Sequence, residues 1–216
     1  MKIIPSLITV VILCSCANDK KADPVVPVTP EQKELIVIDT SLVTDSSWGL
    51  VQKNSGFAEL QSAYGVANVK DDRICGAECL DSVDVTIIYP GSDREFVLYW
   101  NDSAYHKQIG FIRCYSPSAP YHTASGIRMG ATLKELLRIN GKPIAFSGFG
   151  WDYGGGIISL NGGLLDKSNA GFNLDLSENA GDNSVYGDTE LNTNMPAVKK
   201  LLDKIRVSEL YLSFNK

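Results

Sequence analysis

Residues 126–156 read GIRMGATLKELLRINGKPIAFSGFGWDYGGG. Thr132 and Glu135 stand three apart, just ahead of an apolar run. In that spacing the hydroxyl accepts from an amide three residues on, and the carboxylate reaches back to cap the chain before it. Leu133, Leu136, Leu137 and Ile139 follow with one apolar side, so the spacing predicts a helix. Asn140-Gly141 tolerates the left-handed backbone that ends a helix, and Pro143 bars its continuation. A strand is expected before the helix, from about residue 126. A second is expected after it, where Ile144 and Phe146 alternate with Ala145 and Ser147. Five of the nine residues of GFGWDYGGG are glycine, which predicts positive φ or close approach of other backbone.

Working outward, residues 57–64 (FAELQSAY) form a second helical pattern with Phe57, Leu60 and Tyr64 on one side and Gly65 as its stop. Laid over residues 131–141 at an offset of 76, this segment matches Phe57 to Leu133, Glu59 to Glu135, Leu60 to Leu136 and Gly65 to Gly141. The match suggests an internal duplication with halves at residues 35–125 and 126–216. Strands are expected at 35–38, 48–51, 83–89, 95–100, 109–115, 157–160, 171–176 and 207–214, with a helix opening at Pro196 and running through Ile205. Cys75 and Cys79 fall in a polar stretch read as loop. Val207, Leu210, Leu212 and Phe214 keep no single period. The expected fold class is α+β, with antiparallel sheets each packed by a short helix.

The chain has 216 residues, 44% hydrophobic and 21% charged, with a net charge of −5. This balance suits a globular domain and argues against a nucleic-acid partner, which calls for clustered Lys and Arg.

Residues 1–15 read as a targeting segment: Lys2, then an apolar run from Ile3 to Leu13 that is too short to span a bilayer. It ends in Leu13-Cys14-Ser15-Cys16, which resembles a bacterial lipoprotein signal with Leu at −3, a small residue at −1 and the cysteine at +1. The resemblance implies that Cys16 is the lipidated first residue of the mature chain and that the protein is attached to a membrane through that lipid. Ala17-Asn18-Asp19 does not resemble an inner-membrane retention signal, so the outer membrane is expected. Residues 16–34, with Pro24, Pro27 and Pro30, read as a flexible linker. At about 3.1 Å per residue it could lift the domain about 50 Å from the lipid.

An oxidising envelope favours disulfides. Cys75–Cys79 is the favoured pairing because both lie in one short stretch; Cys75–Cys114 and Cys79–Cys114 remain alternatives. Cys75, Cys79 and Cys114 with His106 or His122 could also supply four zinc ligands, though the spacing lacks a paired CxxC. The sequence carries no GxSxG, HExxH or P-loop motif, and Gly148 to Gly154 is not GxGxxG, so no cofactor is implied.

The central stretch, with Gly126-Ile127, INGKP at 139–143 and GFGWDYGG at 148–155, resembles a family of Bacteroidota-type lipoproteins of unassigned activity that carry a similar GI…LNGKP…GFGWDYGG signature. The likeness extends over about residues 48–176 and brings no catalytic residue with it. The order of glycine, short helix and strands is also similar to the helix-plus-sheet modules of outer-membrane assembly lipoproteins and of secreted β-lactamase-inhibitor proteins, an analogy of fold alone.

The expected function is a lipid-anchored envelope binding or assembly module with an envelope protein among its expected partners. Its expected surface is Phe149, Trp151, Asp152 and Tyr153 of the glycine turn together with Trp100. The competing reading is an envelope hydrolase using Asp152 with a second carboxylate, Asp102 or Asp175.

Overall fold

Hairpins and one long return build the main sheet. The computed structural model describes residues 38–76, 81–102, 106–176 and 183–215. First come β1 (Leu42–Val43), β2 (Ser47–Trp48), β3 (Val51–Gln52), α1 (Phe57–Tyr64), β4 (Val69–Cys75), β5 (Ser82–Ile88), β6 (Phe96–Trp100), β7 (Ile109–Cys114) and β8 (His122–Thr123). Then follow α2 (Leu133–Asn140), β9 (Ala145–Ser147), β10 (Ile157–Ser159), β11 (Ala170–Leu176), β12 (Glu190–Asn192), α3 (Pro196–Lys199) and β13 (Ile205–Ser213). The main sheet runs β11-β13-β7-β6-β5-β4 and is antiparallel throughout. Two smaller sheets run β3-β2-β1-β8, with β1 and β8 parallel, and β10-β9-β12. The class is the expected α+β. Strands from both sides of residue 125 share the main sheet, and Val37–Lys216 forms one compact unit by itself.

α2 forms as its spacing predicts. Thr132 Oγ1 accepts from the Glu135 amide at 3.2 Å, and Glu135 Oε2 accepts from the Thr132 amide at 2.7 Å. Gly141 ends the helix with φ +67°. Asn140 does more than stop it. Its buried side chain donates to the carbonyls of Lys142 and Leu160 and accepts from the Leu165 amide, stitching the helix end to the loop after β10.

Leu60 and Tyr64 of α1 and Leu133 and Leu136 of α2 join Phe96, Leu98, Trp100, Ile112, Phe172, Leu210 and Leu212 of the main sheet in one core. A leucine buried this fully contributes about 2 kcal/mol. An aromatic cluster fills its centre, with Trp48 and Phe96 ring centres 5.1 and 5.3 Å from Tyr121.

Several expected elements differ. Residues 48–51 are not one strand but the hairpin β2–β3. Of residues 35–38 only Ile38 is described, exposed and outside any strand. Residues 126–131 form no strand: Arg128 makes a single bridge to His122 of β8, and the Gly130 amide donates to the Val207 carbonyl, so the segment is tied to β8 and β13 at isolated points. β4 was hidden by its polar run Lys70-Asp71-Asp72-Arg73; it is a sheet edge, where charge protects the open backbone. The helix at Pro196 ends at Lys199, and Ile205 already belongs to β13.

Cys75 is disulfide-bonded and Cys114 is a buried free thiol, which removes both pairings to Cys114. Cys79, like Cys16, the rest of the signal segment and the linker, lies outside the described residues. With Cys75 oxidised, the four-ligand zinc reading loses a thiolate. Among the described residues no three His, Cys, Asp or Glu gather as metal ligands, and no helix is long and apolar enough to cross a membrane.

The glycine turn is shaped by close approach. A Cβ on Gly155, whose φ is +72°, would lie 1.8 Å from the Leu174 carbonyl oxygen. Gly155→Ala is therefore expected to cost at least about 2 kcal/mol in chemical denaturation. Gly91→Ala, at φ +74° with open space around it, should cost only about 1 kcal/mol.

Burial raises the pKa of Cys114 from 9.0 to about 11 and that of Tyr64 from 10.0 to about 12. A folded-state pKa raised this way contributes stability that is complete below the unfolded value. That stability is lost as pH climbs through the folded value. Denaturation midpoints should thus hold up to about pH 9 and fall steadily towards pH 12. Cys114→Ala should flatten the first part of that fall.

Candidate functional site

The side of the main sheet turned away from the core carries its own set of side chains. Along β6 the core takes Phe96, Leu98 and Trp100, which turns Val97 and Tyr99 to the other side. Register then places Val97 opposite Arg113, Tyr99 opposite Phe111, Arg113 opposite Tyr211, and Glu209 opposite Asn173. Tyr99, Phe111, Arg113, Tyr211 and Asn173 are half-buried and lie outside the core cluster.

Two irregularities set this face. Between β11 and β13 the register shifts, Asn173 pairing with Glu209 and Leu174 with Val207, so Ser208 is an extra residue. Ile205 and Val207 point into the core before this bulge and Leu210 and Leu212 after it. The broken apolar period seen in the sequence is this bulge, and its effect is to aim Glu209 at the open face. β7 has a matching shift, Tyr99 pairing with Phe111 and Trp100 with Ile109, with Gly110 as the extra residue.

Glu209 is 4% exposed, and both of its oxygens are engaged. Arg113 Nε donates to Oε1 and Arg113 Nη2 to Oε2 at 2.9 Å, and Asn173 Nδ2 donates to Oε2 at 2.7 Å. Burial alone would lower the pKa of Arg113, but the hydrogen bonds and charge of Glu209 outweigh it and raise the value, so the guanidinium stays charged. Its carbon lies 5.0 Å from the centre of the Tyr115 ring and 5.6 Å from that of Phe111. Such contacts are worth about 0.5–1 kcal/mol each at partly exposed sites.

The Tyr211 ring lies over Gly171. A Cβ on that glycine would sit 2.3 Å from the ring, so only glycine lets the ring lie there. The Phe111 ring is 5.3 Å from Tyr211 and within 27° of its plane, while Tyr99 stands at 69° to Phe111. Burial raises the pKa of Tyr115 and Tyr211, keeping both hydroxyls protonated as donors. At one end a pocket of about 250 Å³ opens among Val97, Arg113, Tyr115, Glu95 and Ser92. Tyr115 is 48% exposed at its mouth.

The sequence-predicted residues fall elsewhere. Trp100 is buried on the core side, stacked at 4.8 Å on His106, and donates through Nε1 to Thr86. Phe149 is buried against Phe146. Trp151 donates to the Gly148 carbonyl and meets the ring of Tyr153 edge-on at 5.4 Å. Tyr153 is 73% exposed, and Asp152 is exposed beside it. The turn abuts the outer edge of β11, where the Leu174 amide donates to the Gly155 carbonyl. β7 and β13 separate β6 from that edge, about 14 Å at sheet spacing, so Trp100 does not share a surface with the turn.

Asp102 accepts from the amides of Gln108 and Lys107, which hold its carboxyl below the usual carboxylate range. Asp175 is exposed on β11 opposite Arg206. His122 faces Asp39 at 3.5 Å and His106 faces Asp71 at 3.5 Å.

Arg113, Glu209, Asn173, Tyr115, Tyr211, Phe111 and Tyr99 were not singled out in the sequence. The available signal was the broken period of the last strand and the aromatic residues at non-core positions of β6 and β7.

Arg113→Ala would leave Glu209 buried without its counter-charge. Urea denaturation should show a loss of about 3 kcal/mol, and the paired variant Arg113→Met/Glu209→Leu should lose less than the single one. No protein-family model, no curated protein and no solved structure matches the chain.

Proposed function

We propose that the protein is a lipid-anchored, non-catalytic binding module of the bacterial cell envelope. In this reading Cys16 holds it at the outer membrane, the proline-bearing linker spaces it from the lipid, and the open face of the main sheet recognises an envelope component. One observation carries the reading: half-buried aromatic rings surround an ion pair on a sheet face that lies outside the core. Glu209, which accepts hydrogen bonds on both oxygens, orients Arg113 and Asn173 on that face. Fixed aromatic and arginine side chains are the residue types that dominate recognition surfaces. The exposed Tyr153 of the glycine turn adds a second aromatic contact point.

The test uses the full chain in intact cells fed a fatty-acid analogue. The analogue should label the wild type and leave Cys16→Ser unlabelled; label on the variant would refute the anchor. A photo-crosslinking phenylalanine analogue at Tyr115 should capture an envelope component that the same group at the exposed Lys199 does not. Equal capture from both positions would refute the surface.

A further inference from the structure

We infer that the open sheet face binds a neutral, hydroxyl-rich glycan chain. This rests on the binding-module reading and adds the chemical class of the ligand. A sugar ring has an apolar face of C–H groups and a rim of hydroxyls, so its binding site needs aromatic faces beside fixed polar groups. Both are present. Tyr211 lies over Gly171, where a side chain would lift it, and Phe111 lies within 27° of its plane. Rings held this way offer apolar surface at little cost in conformational entropy.

The polar rim comes from Arg113 and Asn173, both held by Glu209. A guanidinium has five N–H donors, and Glu209 takes two of those on Arg113, leaving others for ligand hydroxyls. Tyr115, exposed at the mouth of the pocket, adds its hydroxyl to that rim.

Charge and size exclude the competing occupants. Arg113 is already neutralised by Glu209, and Glu95 lines the pocket, so a phosphate or carboxylate gains no net positive charge. The pocket of about 250 Å³ is below the range of about 300–1,000 Å³ typical of drug-sized ligands. Three half-buried rings and the exposed Tyr115 are few beside the roughly 20–30 residues that each side of a stable protein interface contributes, which argues against a second copy or a protein partner.

The test titrates the full chain, purified in a detergent without a sugar headgroup, with neutral cello-, malto-, manno- and chitohexaose, following intrinsic fluorescence and heat. At least one hexasaccharide should bind with a Kd of about 1 mM or tighter. Tyr115→Ala, at an exposed position, should weaken that binding about ten-fold and lower Tm by no more than about 4 °C through loss of the Arg113 contact. Tyr211→Ala should weaken it as much, with its Tm recorded alongside. Absence of any saturable binding overturns the glycan assignment, as does binding that both variants leave intact. If no hexasaccharide binds but Tyr211→Ala still abolishes crosslinking from the analogue at Tyr115 to an envelope protein, the ligand class is wrong and the binding-module reading stands. If neither readout responds to the face variants, both fall.

Discussion

The last strand holds the main sheet together. β13 hydrogen-bonds to β7 on one side and to β11 on the other, and among the described residues it links the β4–β7 meander to β11 in the strand order. Its amides and carbonyls also reach outside the sheet, where Val207 accepts from Gly130 and donates to Ala131. The turn leading into α2 is thereby fixed to the same strand. Pairings across about a hundred residues carry a large loop-closure cost, which local structure cannot offset and the shared core must.

That strand also decides what the outer face of the sheet displays. Without the extra residue at Ser208, a strict alternation from Val207 would send Glu209 into the core and Leu210 outward. The bulge reverses this. It places the carboxylate beside Arg113 and Asn173, and it returns the leucines to the core. Replacing an ion pair of this kind by apolar residues is often neutral for stability, so its presence fits a role in orienting Arg113 more than a role in holding the fold.

The glycine turn, central in the sequence, is first a packing device. Gly155 permits contact with the backbone of β11 that no side chain would allow. The aromatic residues of the turn then divide. Phe149 goes to the core, Trp151 ties down the turn through its indole N–H, and Tyr153 is left outside. Sequence pattern found this segment and its rigidity, but treated its aromatics as one surface. Burial separates them, because neighbouring residues in a tight turn point in different directions.

Read alone, the chain determined its two helices with their stops, the glycine turn, the strands β5 and β6 and the α+β class. Each depends on residues a few positions apart: a Thr–Glu capping pair, a glycine stop, an alternating strand. Tertiary structure alone decided that polar β4 is an edge strand, that strands from both halves share a sheet, and that Arg113 meets Glu209 96 positions away. The physical reason is register: facing residues depend on how distant strands align, and a single bulge exchanges inside for outside.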